Sequence, residues 1–420
     1  MENQKVGNRW LVVVGAILIQ LCLGAIYAWS VFTPKLTAAD WTKEQTQWVF
    51  ATGLAFFAIV MVIAGRLMPK VGPRALAWAG GIVLGLGYLL AGLTGGTSFW
   101  PTLLLIGVAG GSGIGLGYVV PIAVGMRWFP DKKGLITGLA VAGFGFGATL
   151  WVKLAGSWGH MLDNLGLGTT FIVYGIAFAV LVFIGGTWMK FPPDGWVPKG
   201  YRPPEVAKGS APAGSVDYTS GQMLSTLQYY LILFTFVFSA GAGLMSIGLM
   251  KLFPMQALMD GGMDEMAASA VAGTAMAVFF SLANGIGRIA WGTLSDKLGA
   301  KTSIVIMTAT QGVLVILFQF MAGTTGLLYL GATLIGFNFG GNFSLFPVIT
   351  AGTFGAKNIG QNYGWVFLAY GIGGIVGPIL GGRLGDMGNF PLAFTICGVG
   401  CLLAAVLISM VRPAKPVQHA

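Results

Sequence analysis

The stretch 281–301, SLANGIGRIAWGTLSDKLGAK, places an arginine inside an apolar run and a short charged turn just beyond it. Arg288 cannot shed its proton in a protein. A charge at the centre of a membrane helix costs about 2.5–3.5 kcal/mol on insertion scales, so an ionisable residue kept there is read as functional by default. What a guanidinium does well is grip a carboxylate through two parallel hydrogen bonds. Ser281, Asn284 and Arg288 fall at i, i+3 and i+7, on one helix face. Asp296 follows eight residues after Arg288, which sets the arginine about 12 Å inside the helix end at 1.5 Å per residue. No Asp, Glu or Lys lies deep in any apolar run. One fixed cation alone suits one carboxylate. Cys22, Cys397 and Cys401 sit in apolar runs without metal-site spacing, and no His, Cys and carboxylate group converges. Neither an enzyme nor a cofactor or metal site is expected.

The elements that must hold Arg288 follow from composition. The chain has 420 residues, 55% hydrophobic and 9% charged, where a soluble domain carries about a quarter charged. It reads as an all-α integral membrane protein in a lipid bilayer. The 68 glycines suit helices that cross closely. The net charge of +10 is spread between apolar runs rather than along a stripe, which excludes nucleic acid as a partner. Spanning helices of about 20 residues are expected near 10–34, 46–69, 74–95, 100–127, 134–158 and 167–190, then near 226–252, 266–293, 301–322, 326–351, 360–386 and 390–411. The first run is too long for a signal peptide and reads as a retained span. Between the sets lies one polar segment rich in Pro, Gly, Lys and Ser. The expected organisation is a six-helix bundle over 1–190, a central loop over 191–224 and a second bundle over 225–420.

Orientation follows from Lys and Arg. With both termini on one side, that side holds seventeen cations, among them Lys5, Arg9, Lys199, Arg202, Lys208 and Lys415; the other holds Lys35, Lys43, Lys153, Lys251 and Arg383. Termini and central loop are therefore expected in the cytoplasm, with the protein in the cell (inner) membrane as a monomer. The GSGIGLG run at 111–117 is not a nucleotide loop, because no strand precedes it and it lies inside a span; it reads as a close helix crossing.

The halves repeat each other. Gly65-Arg-Leu-Met-Pro-Lys-Val-Gly72-Pro-Arg74 and Gly292-Thr-Leu-Ser-Asp296-Lys-Leu-Gly299-Ala-Lys301 match in register 227 positions apart, and Gly134/Gly138 match Gly360/Gly364 226 apart. Two matches at nearly one offset indicate two parallel repeats, an arrangement found in transporters.

The repeated turn resembles the signature loop of the major facilitator superfamily, Gly-x-Leu-x-Asp-x-x-Gly-x-Arg/Lys. The second copy fits fully and the first has Pro69 in place of the aspartate. Asn8-Arg9-Trp10, Gly24-Ala-Ile-Tyr27-Ala-Trp29-Ser30, Arg127-Trp-Phe-Pro-Asp-Lys-Lys-Gly134 and Asn362-Tyr363-Gly364 resemble strings of its oxalate/formate antiporter family, with the animal monocarboxylate transporters as distant relatives. The resemblance implies twelve spans in two pseudo-symmetric six-helix bundles. It implies that Gly65, Gly72, Arg74, Gly292, Asp296 and Gly299 form gating loops, the aspartate helping to lock one access state. It places Arg288 at the substrate arginine, with Tyr27, Tyr118, Asn284, Phe339, Phe343 and Tyr370 at substrate-cavity positions. A second cation of the oxalate exchanger is Tyr370 here, which argues against a dicarboxylate and for a small monocarboxylate such as lactate, pyruvate or formate. The proton-binding aspartate of the monocarboxylate transporters is Asn284 here, and span one shows no lysine. The expectation is symport with protons, the proton travelling on the substrate; anion exchange is the alternative.

Overall fold

The computed structural model describes residues 8–156, 158–193, 196–198, 200–201 and 217–412. Lys5, Lys199, Arg202, Lys208 and Lys415, used above for orientation, lie outside them, as does 202–216 of the central segment. The described residues are helical and contain no strand. Twelve helices among them are long and apolar enough to cross a membrane, as the sequence predicts: α1 (Trp10–Trp29), α2 (Trp48–Val71), α3 (Pro73–Leu93), α4 (Phe99–Trp128), α5 (Lys133–Ala155), α6 (Gly166–Gly186), α7 (Leu227–Leu249), α8 (Glu265–Leu298), α9 (Ala300–Met321), α10 (Thr325–Phe354), α11 (Ile359–Gly385) and α12 (Phe390–Ser409). Their outward residues stay apolar, as at Ile82, Leu86, Val180 and Phe183, which is what a helix facing hydrocarbon requires.

Local chemistry sets the ends. The Thr42 hydroxyl accepts from the Gln45 N–H and the Gln45 side chain accepts from the Thr42 N–H, so the helix leading into α2 starts on a reciprocal cap. Asp264 caps α8 by accepting from the Ala267 N–H. α8 runs five residues past its expected end near 293, through Ser295, Asp296 and Lys297 to Leu298. Gly72 (φ 82°, ψ 155°) and Gly299 (φ 81°, ψ 148°) close the matched turns with the same backbone, a conformation that side-chain-bearing residues avoid. Three stretches depart from α geometry: Gly24–Val31 is a 3₁₀ helix, and Leu103–Gly110 and Ala275–Phe280 are π-helical. Such insertions in long helices often mark functional segments.

The chain divides into two compact units. The first comprises Met1–Asp131, Leu139–Pro203 and Ile359–Gly364; the second comprises Lys132–Gly138, Pro204–Asn358 and Trp365–Ala420. In the first, α3 packs along α6 and α2 along α4. In the second, α9 packs along α12 and α8 along α10. The same crossing occurs in each. A Cβ on Gly85 would stand 2.7 Å from the Gly175 carbonyl, and one on Gly312, 227 positions later, would stand 2.7 Å from the Gly398 carbonyl. The glycines of 111–117 serve as expected, with Gly113 against Gly80 and Leu84 and Gly115 against the Phe57 backbone.

Candidate functional site

In the second unit the site is built on the α8–α10 seam. Gly287 lies on the Phe337 backbone, Gly336 on that of Phe280 and Gly340 on that of Asn284, with the position of a Gly340 Cβ 3.1 Å from the Arg288 nitrogen. Three glycines let the two backbones touch, and this brings α8 side chains onto α10 rings. Arg288 is fully buried, and among the described residues it is the one charged side chain that is buried. Its Nε donates to Asn284 Oδ1 at 2.9 Å. Its guanidinium lies over the Phe343 ring, 4.0 Å from the centroid, a favourable cation–π placement. Phe343 meets Phe339 edge-on at 5.4 Å and Tyr370 at 5.4 Å, and Tyr370 stacks on Phe367 at 5.2 Å. The structure thus joins five expected site residues, Asn284, Arg288, Phe339, Phe343 and Tyr370, in one buried cluster.

Ser281 shares their helix face in sequence, but its hydroxyl donates to the Met276 carbonyl within the π-helical turn. The asparagines of α10 work as ties: Ser239 Oγ donates to Asn342 Oδ1 at 2.7 Å, and Asn338 Nδ2 donates to Thr310 Oγ1 at 3.1 Å. They hold α10 to α7 and α9, and so fix where Phe339 and Phe343 stand.

In the first unit, Tyr27 sits in the 3₁₀ segment and meets Phe144 edge-on at 5.3 Å; Phe144 meets Tyr118 at 5.3 Å, and Tyr118 meets Phe57 at 5.0 Å. Tyr118 is fully buried. Gln20 donates to its carbonyl at 3.1 Å. Tyr27 and Tyr118 are therefore brought together, through Phe144. Phe57, Phe144 and Gln20 were not singled out from sequence. Phe144 lies in the GFGFG run at 143–147.

The second copy of the repeated loop is engaged within its unit. Asp296 Oδ1 accepts from the Gly134 N–H at 2.7 Å and Oδ2 from the Leu135 N–H at 2.8 Å, a carboxylate on the N-terminus of α5 where the helix dipole favours it. Gly292 allows this approach, since a Cβ there would collide with the Gly134 backbone. Lys133 is within electrostatic reach of both Asp296 and Asp217. Asp217 accepts from the Lys357 N–H at 2.9 Å and the Tyr218 N–H donates to the Phe354 carbonyl at 2.9 Å, contacts that nothing in the sequence advertised.

The first copy carries the matching backbone contact, with Gly65 on the Gly360 backbone. Its cation behaves differently. Arg74 donates to the Thr187 carbonyl and lies over Trp78, 5.6 Å from the centroid, which ties it to the end of α6. Arg9 forms a two-bond pair with Asp131 at 2.9 and 3.3 Å and lies 4.3 Å over Phe129.

Comparison with known proteins agrees with this architecture. The chain is 29% identical over 372 residues to the MFS-type transporter YhjX of Escherichia coli K12, spanning 88% of this chain and 86% of that one. It is 29% identical over 205 residues to the oxalate:formate antiporter of Oxalobacter formigenes, covering 48% of this chain and 47% of the relative. Over 88 residues it is 41% identical to the apicoplast pyruvate carrier 1 of Toxoplasma gondii, 21% of this chain and 16% of that protein. Among solved structures, the FucP transporter in its outward conformation superposes with a TM-score of 0.67 at 17% identity, covering 95% of this chain and 98% of FucP. The proton:xylose symporter XylE gives 0.68 at 13% identity, covering 96% of each. The model of the Major Facilitator Superfamily matches residues 10–276 and 233–420. The chain belongs to the major facilitator superfamily and is a multi-pass membrane transporter rather than an enzyme.

Proposed function

We propose that this transporter carries a small monocarboxylate, lactate- or pyruvate-like, by proton symport with alternating access. The observation that carries the reading is the buried Arg288, held by Asn284 and laid over Phe343. A guanidinium in that setting calls for an anion, and one cation balances one carboxylate. Phe339, Phe343 and Tyr370 give the surroundings an apolar lining suited to a short alkyl or hydroxyalkyl tail. Tyr27 and Tyr118, in the first unit, are assigned substrate-binding roles as well. The proton travels with the substrate carboxylate. The pyruvate carrier among the relatives supports a monocarboxylate. Asp296, with Gly292 and Gly299, serves as the stronger gating loop, and Gly65, Gly72 and Arg74 as the weaker. Both termini are assigned to the cytoplasm, the protein to the inner membrane as a monomer.

The test is uptake into proteoliposomes. Arg288→Ala abolishes uptake of radiolabelled lactate while the protein still inserts; wild-type uptake in that variant overturns the substrate-arginine reading. An imposed inward proton gradient drives lactate accumulation. A second reading, anion exchange, is favoured by the likeness to the oxalate:formate antiporter and by the neutral Asn284 beside Arg288. If only vesicles preloaded with anion take up substrate, exchange replaces symport.

A further inference from the structure

Two stretches of the first unit leave α geometry, Gly24–Val31 at the end of α1 and Leu103–Gly110 in α4. Both border one small cavity of about 10 Å³, close to the room that one water needs. Ile26 and Trp29 line it from the 3₁₀ stretch, Ile106 and Gly110 from the π-helical stretch, and Gly53 from α2. The two glycines are not there for close packing. A Cβ on Gly85 or Gly113 would stand 2.7 or 2.5 Å from a neighbouring backbone atom. A Cβ on Gly110 would find nothing nearer than 3.7 Å, and one on Gly53 would first meet the Cδ1 tip of Ile26 at 3.2 Å. Neither glycine has a positive φ. The chain keeps a methyl-sized space open at this place.

Helix geometry says what the space is for. In a 3₁₀ helix the side chains at i and i+3 eclipse, whereas in an α-helix they stand about 60° apart. Ile26 and Trp29 are such a pair. Trp29 is fixed, its Nε1 donating to the Thr46 carbonyl at 2.8 Å and its ring stacked on Phe171 at 6.5 Å. Re-coiling the stretch as α therefore swings Ile26, and the room beside Ile26 is the cavity. The 3₁₀ stretch has 8 residues. At rises of about 2.0 Å per residue in 3₁₀ and 1.5 Å in α, it would shorten by about 4 Å. Tyr27 would travel with it, away from its edge-on contact with Phe144. From this geometry we infer that Gly24–Val31 changes between 3₁₀ and α coiling during transport, and that the cavity is the room kept for Ile26. The inference concerns the transport cycle and holds whichever substrate is carried.

The experiment fills the cavity. Gly110→Ala adds one methyl where a methyl fits. Gly382→Ala in α11 is the control, because a Cβ there would have nothing within 4 Å and gains helix propensity without filling a space. Both variants raise the thermal midpoint in detergent by a few degrees. Gly110→Ala also slows lactate uptake into proteoliposomes by about fourfold or more, the scale of one buried methyl. It slows hydrogen exchange of the peptide over 24–31 by a similar factor, and Gly382→Ala changes neither. In the wild type, 24–31 exchanges about tenfold faster than 12–22 of the same helix. Equal protection of the two peptides overturns the inference without any variant, which covers a Gly110→Ala protein that does not fold. A Gly110→Ala protein with a raised midpoint but wild-type uptake and exchange overturns it, because the cavity is then a packing gap. A lowered midpoint overturns it as well, because the methyl then finds no room. If the wild type takes up no lactate, the monocarboxylate reading fails, and the exchange rates alone decide this inference.

Discussion

Asp296→Asn isolates what this carboxylate does for the helix it caps. In the structure both oxygens accept backbone hydrogen bonds, from Gly134 at 2.7 Å and Leu135 at 2.8 Å. Asparagine keeps one carbonyl acceptor and turns an NH₂ group toward the other N–H. The loss is one charge-assisted bond, about 1.5–3 kcal/mol, plus the attraction of a full charge for the helix N-terminus, about 0.3–1 kcal/mol. The sum is about 3 kcal/mol, or about 150-fold in a local opening equilibrium. The assay is hydrogen exchange followed by mass spectrometry on peptides covering 129–138. Exchange at Gly134 and Leu135 is expected to accelerate by about two orders of magnitude, while the peptide over 359–364, whose loop partner carries Pro69 in the aspartate position, stays unchanged. Equal protection of 129–138 in wild type and variant would refute the reasoning, because it would mean that the amides are held without the carboxylate.

Three other outcomes follow from the site. Arg288→Lys keeps the charge but loses the Nε bond to Asn284 and the two-pronged grip, so its lactate KM in proteoliposomes should rise about 100-fold or uptake vanish. Phe343→Leu keeps an apolar side chain under the guanidinium but removes the ring face; the KM should rise about 3- to 30-fold, with the thermal midpoint in detergent shifting by only a few degrees. Gly340→Val forces branched bulk against the Asn284 backbone, so the protein should express poorly or melt well below the wild type by intrinsic tryptophan fluorescence, with any folded fraction inactive.

The spans were legible because each apolar run is long and the runs are separated by polar turns. Arg288 was legible for the opposite reason, a charge where none is affordable. The repeat offset found in Gly65/Gly292 and Gly134/Gly360 turned out to mark backbone contacts, with Gly134 on Gly292 and Gly360 on Gly65. What the sequence hid was partnership. That Asn284 faces Nε depends on the rotamer chosen when Gly340 draws α10 against α8. That Asp296 caps α5 depends on residues more than 150 positions apart meeting. Phe144 looked like one more phenylalanine among 28, and only packing selects it as the link between Tyr27 and Tyr118. The run of α8 on to Leu298, five residues past the expected end near 293, was hidden because its last turn carries Ser295, Asp296 and Lys297, which read as a polar turn.

The seating of Arg288 on Phe343 has a consequence for how the protein is made. The two residues are 55 positions apart in the chain. When α8 leaves the ribosome, the ring that will lie under its guanidinium has not been synthesised, and neither has Gly340, which lets α10 come close. At 5–20 residues per second the interval is about 3–11 s. During it, α8 carries an uncovered cation in an apolar helix. Nascent α8 is therefore expected to stay beside the insertion machinery rather than partition into lipid. Chains stalled before Phe343 should crosslink to that machinery through α8, and chains stalled well beyond it should not.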